Sequence, residues 1–298
     1  MRRFCTVKFL FFCCWLALPV GAQDRLVWTL TEGDQFEVVI SQKSEMETLV
    51  TRTKVKIDLE LIYHMQWKVL AVADNGNFAI EQAFSRMSVR LARSKKNDLV
   101  YDTDSGQPPE ENAQPYARVY DKLIGIPFRV EMTPRGEIVK VELNVKDRET
   151  IEQIPETMQA RRLFEKKGLT EVLNGDGFVL PNEAISKGFT WLLTKNKKMT
   201  FGAAEVENVY TYQGKTPQGL AEFKVDSKIE LDDQPENPSE KSLRLISQEH
   251  SGRILFNPVL GRLDSVTLVQ EMKTEKPFRE MMIETVTRVE SKIGITAK

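Results

Sequence analysis

The sequence contains few of the side chains on which most catalytic and metal sites depend. Its 298 residues include three cysteines and two histidines, and all three cysteines, Cys5, Cys13 and Cys14, lie close to the amino terminus. The histidines, His64 and His250, form no His-x-x-x-His pattern, and no Gly-x-Ser-x-Gly or phosphate-loop motif is present. The sequence therefore does not support the common zinc, serine-hydrolase or nucleotide-binding sites, and it predicts no cofactor.

The amino terminus has the pattern of a secretory signal peptide. Arg2, Arg3 and Lys8 give a positive start, Phe9 to Val20 form an apolar run, and small residues end at Ala22. We predict a signal peptide at residues 1–22 with cleavage after Ala22. The apolar run is shorter than the roughly 20 residues that a membrane-spanning helix needs, so no transmembrane anchor is expected after cleavage.

The predicted mature chain lacks cysteine and therefore cannot form a disulfide or a thiolate metal site. Its one Asn-x-Ser match, at Asn237, contains a disqualifying proline, so N-glycosylation is not expected either. An exported chain with neither feature is typical of the bacterial envelope, and we expect a periplasmic or extracellular location. The formal net charge of −1 becomes more negative once the cationic signal is lost, which argues against a nucleic-acid partner.

The strongest structural pattern runs from Val55 to Ala73, where apolar side chains occupy every odd position. This period of two predicts a long strand with one buried face. Asn75-Gly76 follows and favours a two-residue type I′ turn. That turn would pair Trp67 with Phe84 in the returning strand. Beyond Phe84 the apolar positions shift by one, and a bulge near Ser85-Arg86 would restore the alternation.

Further strands and turns recur along the chain. We predict hairpins in which 26–28 pairs with 36–40 around 32–34, and 128–132 pairs with 139–143 around 133–136. Two more are expected at 206–231, turning within 214–219, and at 254–268, turning within 258–261, before a closing strand at 281–293.

One central helix is predicted near residues 155–167, with Pro155 in its first turn and Gly168 at its end. This divides the chain into a first β half (23–145), a helical connector (146–177) and a second β half (178–298). The order of strands and loops in the halves suggests an internal duplication, although all-β proteins also repeat such features by themselves. The predicted fold class is mainly β, with long, curved antiparallel sheets from two similar halves in a half-barrel or sandwich-like arrangement.

One cluster of large apolar side chains is a candidate binding face. On the predicted hairpin, aromatic rings and flexible methionines would lie close together, as they do both in apolar ligand grooves and in ordinary cores. The residues are Tyr63, Met65, Trp67, Phe78, Phe84 and Met87.

A calcium loop is a second, weaker candidate. Asp102 and Asp104 have the spacing that opens such a loop, but Gly106 stands at its fifth position and Ala113 at its twelfth, where a bidentate acid is required. A solvated turn explains the same residues.

Several short patterns together resemble an uncharacterised family of exported bacterial β-rich proteins. They are the Glu32-Gly33-Asp34 turn, the Trp67-Lys68-Val69 strand, Tyr101-Asp102, Gly252-Arg253-Ile254-Leu255-Phe256 and Leu260-Gly261-Arg262-Leu263. The resemblance implies export and a β fold, and it supplies no activity.

Two functions remain open from the sequence. The first is a non-enzymatic envelope protein that binds a lipid, another apolar molecule or a protein partner on a curved sheet. The alternative is a glycosidase-like hydrolase that uses a pair of the 43 acidic residues.

Overall fold

The protein is mainly β, and its strands form one twelve-stranded antiparallel sheet. A computed structural model describes residues 23–50, 53–94, 98–155, 159–173, 178–199, 202–231, 244–278 and 281–298. The predicted signal peptide and its cleavage site lie outside these residues. The strands are β1 Gln35–Val50, β2 Thr53–Val72, β3 Phe78–Arg93, β4 Leu99–Asp102, β5 Phe128–Met132, β6 Ile138–Glu142, β7 Thr190–Met199, β8 Gly202–Lys215, β9 Ala221–Leu231, β10 Arg244–Asn257, β11 Arg262–Phe278 and β12 Met281–Ala297.

The sheet order is β6-β5-β3-β2-β1-β12-β11-β10-β9-β8-β7, with β4 paired to β3. Neighbours in the sheet are therefore neighbours in sequence, except where β1 meets β12 and where the short β4 is bypassed. The β1–β12 ladder runs from Phe36↔Ala297 to Leu49↔Glu284. It joins the strands of the first half of the chain to those of the second.

The segment 24–30 crosses one face of the sheet as an extended strap. Trp28 N donates to Pro134 O in the β5–β6 turn (2.7 Å), and Thr29 N donates to Gly261 O in the β10–β11 turn (2.8 Å). Asp24 exchanges two backbone hydrogen bonds with Ile185, which lies just before β7. The strap therefore touches turns from both ends of the strand order.

These contacts show that the sheet is strongly curved around the strap. Trp28 bonds to the turn after β5, and the Asp24 carboxylate accepts a hydrogen bond from Tyr212 on β8. The strands β5 and β8 are eight positions apart in the sheet, about 38 Å if it were flat. Four residues of strap, from Asp24 to Trp28, cover at most about 14 Å. The face that carries the strap is therefore the inner, concave face. No ladder joins β6 to β7 among the described residues, so the sheet is curved but unclosed.

The β2–β3 hairpin is confirmed, but its predicted register is wrong. Ala73 N donates to Asn77 O and Gly76 N donates to Ala73 O, so three residues form the loop, and Gly76 has a positive φ. The three-residue loop shifts the pairing by one residue, and a second bulge at Leu70, between the pairs Ala71↔Ala79 and Val69↔Ile80, shifts it by another, so Trp67 pairs with Gln82 instead of Phe84. The predicted bulge is confirmed: His64↔Arg86 is followed by Met65↔Phe84, which leaves Ser85 unpaired.

The other hairpins are found as β5–β6, β8–β9 and β10–β11, and β12 is the predicted closing strand. The hairpin predicted around 32–34 is wrong, because residues 26–28 belong to the strap and bond to distant turns instead of to β1.

The helices also differ from the prediction. The short 3₁₀ helix Glu111–Ala113 and the following α1 Gln114–Leu123 were not among the predicted elements. The expected single helix near 155–167 is replaced by α2 Val145–Glu152, α3 Gln159–Arg162 and α4 Lys166–Leu173. Pro155 lies outside all of them and Gly168 lies within α4. No helix in the described part of the chain has the length and apolar character needed to span a membrane.

The core occupies one end of the curved sheet, which we call the closed end. There the strap and helices cover the inner face, and the turns 73–77, 133–137, 216–220 and 257–261 join the strands. At the other, open end, β1, β2, β11 and β12 continue well past the last fully buried positions of the inner face.

Candidate functional site

The predicted apolar face is buried at the closed end. Its six members are all at most 4% exposed, namely Tyr63, Met65, Trp67, Phe78, Phe84 and Met87. Helical side chains cover them from the inside: the ring centroid of Tyr120 lies 6.2 Å from that of Tyr63, and the ring centroid of Phe164 lies 5.5 Å from that of Phe84. This face is filled core in the structure, and it leaves no groove open to a ligand.

Burial changes the chemistry of the tyrosines in this core. Desolvation raises the pKa of Tyr63 well above its ordinary value, and it raises the pKa of Tyr120 to about 12. The two hydroxyls lie 3.5 Å apart. Both phenols are therefore neutral at physiological pH and act as packing groups with a shared hydrogen bond.

Asp102, one of the two predicted calcium ligands, is engaged by protein groups. Arg86 Nε lies 3.0 Å from Asp102 Oδ1, and Arg86 Nη2 lies 2.5 Å from Asp102 Oδ2. Asp104 N donates to Asp102 Oδ1 at 3.0 Å. The bond from Arg86 is the main cause that lowers the pKa of Asp102. Among the described residues, no group of three or more potential metal ligands is found.

An uncharged wall lies on the inner face at the open end. The strand register places fifteen residues in three rows that cross β2, β1, β12, β11 and β10. None of them is Asp, Glu, Lys or Arg. We call this set the inner wall; its rows are Leu59-Ser44-Val289-Gln270-His250, Ile57-Met46-Thr287-Met272-Gln248 and Val55-Thr48-Thr285-Thr274-Leu245.

The outer face of the same strands has the opposite character. Its positions alternate with those of the wall and carry mainly charged side chains that pair across strands. Lys43 Nζ lies 3.3 Å from Glu60 Oε1, and Lys273 Nζ lies 3.0 Å from Glu284 Oε2. The outer face is therefore suited to water, and the sheet is amphipathic along its full length.

Thirteen of the fifteen wall residues are half-buried, Val55 is exposed and Thr274 is buried. Strand spacing gives the wall a width and length of roughly 20 Å each, an area on the order of 400 Å². Seven of its fifteen residues are apolar and eight are Ser, Thr, Gln or His, so the wall is a mixed surface of apolar and uncharged polar side chains. Side chains such as Met46, Met272 and Val289 supply apolar surface, while Thr285 and Thr287 supply methyl and hydroxyl groups together.

The described acidic residues give little support to the hydrolase alternative. The outer-face acids Asp58, Glu60 and Glu284 form ion pairs with lysines, and Glu37 contacts His64 on the same face at 3.1 Å. The inner wall contains no carboxylate. A glycosidase needs two carboxylates facing one substrate site, and the wall does not provide them.

The inner wall contains no Phe, Tyr or Trp, so the clustering of aromatic residues in the sequence does not reveal it. The usable signal was the alternation in residues 42–50 and 283–291, where charged residues alternate with Ser, Thr, Gln, Met, Val and Ile. A strand with one uncharged face predicts a partner for that face. What the sequence could not tell is that helices would cover one end of the face and leave the other.

The fold and site define a mainly β protein with one curved, unclosed sheet, a filled core at one end and an uncharged wall at the other. The chain belongs to a family of unknown function (DUF6263), whose model matches residues 75–254, more than half of the chain. This confirms the uncharacterised family suggested by its sequence patterns. No curated protein matches the chain.

Several solved structures are distantly similar. A lipovitellin structure, described as "Lipid-protein interactions in lipovitellin", is 12% identical with a TM-score of 0.47; the match covers 90% of this chain and 26% of that one. DynF from the dynemicin biosynthesis pathway of Micromonospora chersina is 6% identical (93% and 86% covered, TM-score 0.19). The translocator domain of the autotransporter NalP from Neisseria meningitidis is 7% identical (89% of each chain, TM-score 0.19). Similarity at these TM-scores carries no functional argument.

Proposed function

We propose that the protein is an exported, non-enzymatic binding protein of the bacterial envelope that holds a lipid or similar apolar molecule against its inner wall. The single observation that carries this proposal is the contrast between the two faces of the central strands at the open end. The outer face is charged and ion-paired, while the fifteen residues of the inner wall include no Asp, Glu, Lys or Arg; Arg93 and Lys276 lie on the same face at its edges.

The contrast matters because an uncharged face left in water has an energetic cost. Apolar surface transferred out of water contributes about 25 cal/mol for each Å², so covering the wall stabilises the complex by several kcal/mol. The hydroxyl and amide groups of Thr285, Thr287 and Gln270 can orient a polar head group, as a few polar groups do in most apolar ligand sites.

Curvature favours a small or slender ligand over a flat protein surface. The wall lies on the concave side of a sheet that the strap holds strongly curved. A flat surface would contact only the edges of such a wall, whereas an acyl chain or another narrow apolar molecule can follow it. Concavity is the usual geometry of small-molecule sites.

Export is supported by the sequence of the first 22 residues, with its cations, apolar run and small residues before Ala22. The mature chain has no cysteine to be oxidised outside the cytoplasm. A bacterial envelope also contains the apolar molecules that such a wall would bind.

The test is to purify the mature protein from the periplasm, extract it with organic solvent and identify bound lipid by mass spectrometry. Binding of a fluorescent fatty acid then compares two variants. Thr287→Lys places a charge in the centre of the wall, between Met46 and Met272. Because a buried unpaired charge is strongly unfavourable, we expect binding to weaken at least about tenfold.

Val286→Lys is the matched control, since it adds the same charge one residue away on the outer face, beside Glu47. Its fatty-acid affinity should equal that of the wild type. A protein that carries no extractable lipid, and that binds fatty acid equally in both variants, would overturn the proposal.

A further inference from the structure

Two cations border the inner wall. Arg93 of β3 pairs with Ile57, so it extends the middle row of the wall beyond β2. Lys276 of β11 lies two residues past Thr274 on the same face, opposite Ile283 of β12. Both cationic side chains are exposed. The inner-face positions of β1, β2, β3, β11 and β12 that the structure describes include no Asp or Glu, so this face is suited to an anion.

The lysines on the outer face of the same strands have acidic partners. Lys273, on the same strand as Lys276 but on the other face, has its Nζ 3.0 Å from Glu284 Oε2. The outer-face lysines of β1, β2 and β12 are paired in the same way. None of the ion pairs between described residues includes Arg93 or Lys276. The charge of these two side chains is therefore available to an anion from outside the chain.

The length of the wall suits one acyl chain. At the closed end the inner face of β11 is core, where Leu268 is buried. Towards the open end the strand continues from Gln270 to Lys276, and these six residue steps span about 20 Å. A bilayer leaflet contains about 15 Å of hydrocarbon, half of the bilayer core. A single acyl chain therefore fits between the buried core and Lys276.

The curvature of the sheet determines the direction of such a chain. The strap draws β5 and β8 together across the strand direction, so the concave face forms a trough that runs along the strands. A slender chain in this trough has its tail against the filled core and its head group at the open end, in water and beside Lys276. The reverse orientation would press a charged head group against the core, where an unpaired charge is strongly unfavourable.

We propose that the ligand of the inner wall is an anionic amphiphile, whose acyl chain lies along the wall and whose head group pairs with Lys276. This inference rests on the proposed function and narrows it from apolar molecules in general to lipids with a negative head group. Charge complementarity favours this ligand, because Lys276 and Arg93 attract an anion and repel a cationic amphiphile. Arg93 lies at the flank of the wall and contributes attraction over a longer distance.

The probes are decanoate and decan-1-ol, which have the same apolar chain and differ in the charge of the head group. Isothermal titration calorimetry measures their affinities for the purified mature protein at about pH 8, where decanoate is ionised. In Lys276→Gln the affinity for decanoate should fall about three- to fivefold, the size of an exposed ion pair. The affinity for decan-1-ol should not change. High salt should weaken binding of decanoate to the wild type with the same selectivity.

Two further variants test the position of the head group. Lys273→Gln is the matched control, since it removes the same charge from the outer face of the same strand, and it should leave both affinities unchanged. Arg93→Gln should lower the affinity for decanoate less than Lys276→Gln does, because Arg93 lies beside the chain and not at its end. Urea unfolding verifies that each variant is folded.

The results separate this inference from the proposed function. If both probes bind and decanoate binds equally to the wild type and Lys276→Gln, the wall holds an apolar chain without recognising an anion, and this inference alone is wrong. An equal loss in Lys273→Gln would reduce the effect to net charge and exclude the ion pair. A larger loss in Arg93→Gln than in Lys276→Gln would contradict the orientation along the strands. If neither probe binds, the proposed function is overturned together with this inference.

Discussion

The indole nitrogen of Trp28 lies 2.5 Å from the position that a Cβ atom on Gly136 would occupy. Gly136 also has a φ of 86°, so the β5–β6 turn needs glycine both for its conformation and for the approach of the strap. We expect Gly136→Ala to lower the free energy of unfolding by about 2 to 4 kcal/mol, combining backbone strain with overpacking. Urea denaturation measures this change.

Gly219→Ala is the control for the strain alone, because Gly219 has a similar φ of 82° but nothing lies within 4 Å of the position that its Cβ atom would take. It should cost about 1 kcal/mol. If both variants lose the same free energy of unfolding, the close approach of Trp28 adds nothing to the cost of Gly136→Ala.

The hydrogen bonds of Asp24 at the start of the strap should make the free energy of unfolding depend on pH. Burial raises the pKa of Asp24, but hydrogen bonds from Lys215 (2.6 Å) and the Tyr212 hydroxyl (2.6 Å) outweigh it and lower the pKa below its ordinary value. A carboxylate with a lowered folded-state pKa stabilises the fold above its unfolded pKa, and this contribution is lost as the pH falls through the folded pKa. As the pH falls from about 5 to about 2, the free energy of unfolding should therefore decrease less in Asp24→Asn than in the wild type.

The control for that titration is Asp74→Asn, a change of an exposed carboxylate in the β2–β3 turn. Its pH profile should follow the wild type. If Asp24→Asn shows the same slope as Asp74→Asn, the strap is not held by this ion pair.

The closed end should behave as core and not as a binding groove. Phe84 is 1% exposed and contacts the ring of Phe164, so Phe84→Ala should lower the free energy of unfolding by about 3 to 5 kcal/mol. Leu192→Ala, at a position 52% exposed on β7, should change it by less than about 0.5 kcal/mol. Differential scanning calorimetry distinguishes the two. Fatty-acid affinity of folded Phe84→Ala should equal that of the wild type, and a selective loss of affinity would place the ligand at the closed end.

A buried amide offers a stabilising change. Gln82 is 1% exposed, and its Oε1 has no hydrogen-bond partner among the described residues. Gln82→Met keeps the volume and removes the unsatisfied acceptor, so the free energy of unfolding should rise by about 1 kcal/mol. Gln66→Met on the exposed face of β2 should be neutral. A loss of stability in Gln82→Met would indicate that the buried amide has a partner.

Local patterns predicted the hairpins well and their details less well. Alternation from Val55 to Ala73 identified β2 because its odd-numbered residues lie on one face, of which Leu61 to Val69 are buried in the core. The register failed because Asn75-Gly76 suits both a two-residue type I′ turn and a three-residue loop with glycine at positive φ. The bulge at Ser85 was visible, since the phase of the apolar positions changes there whatever the turn.

Long-range contacts account for the remaining errors. Leu26 and Trp28 have the same alternation as a strand, and only the hydrogen-bond partners of Trp28 and Thr29, more than 100 residues away, show that this segment is a strap. Helix α1 was not predicted, although its Pro115 lies in the first turn, where proline is tolerated. The internal duplication and the domain boundaries stay predictions.

The ladder between β1 and β12 should slow the folding of the sheet. Fourteen residue pairs connect strands that are separated by most of the polypeptide, so the centre of the sheet cannot form until the last strand is available. Contacts of such long sequence separation slow folding. During synthesis from the amino terminus, β1 therefore lacks its β12 neighbour along one edge until the last strand has been made.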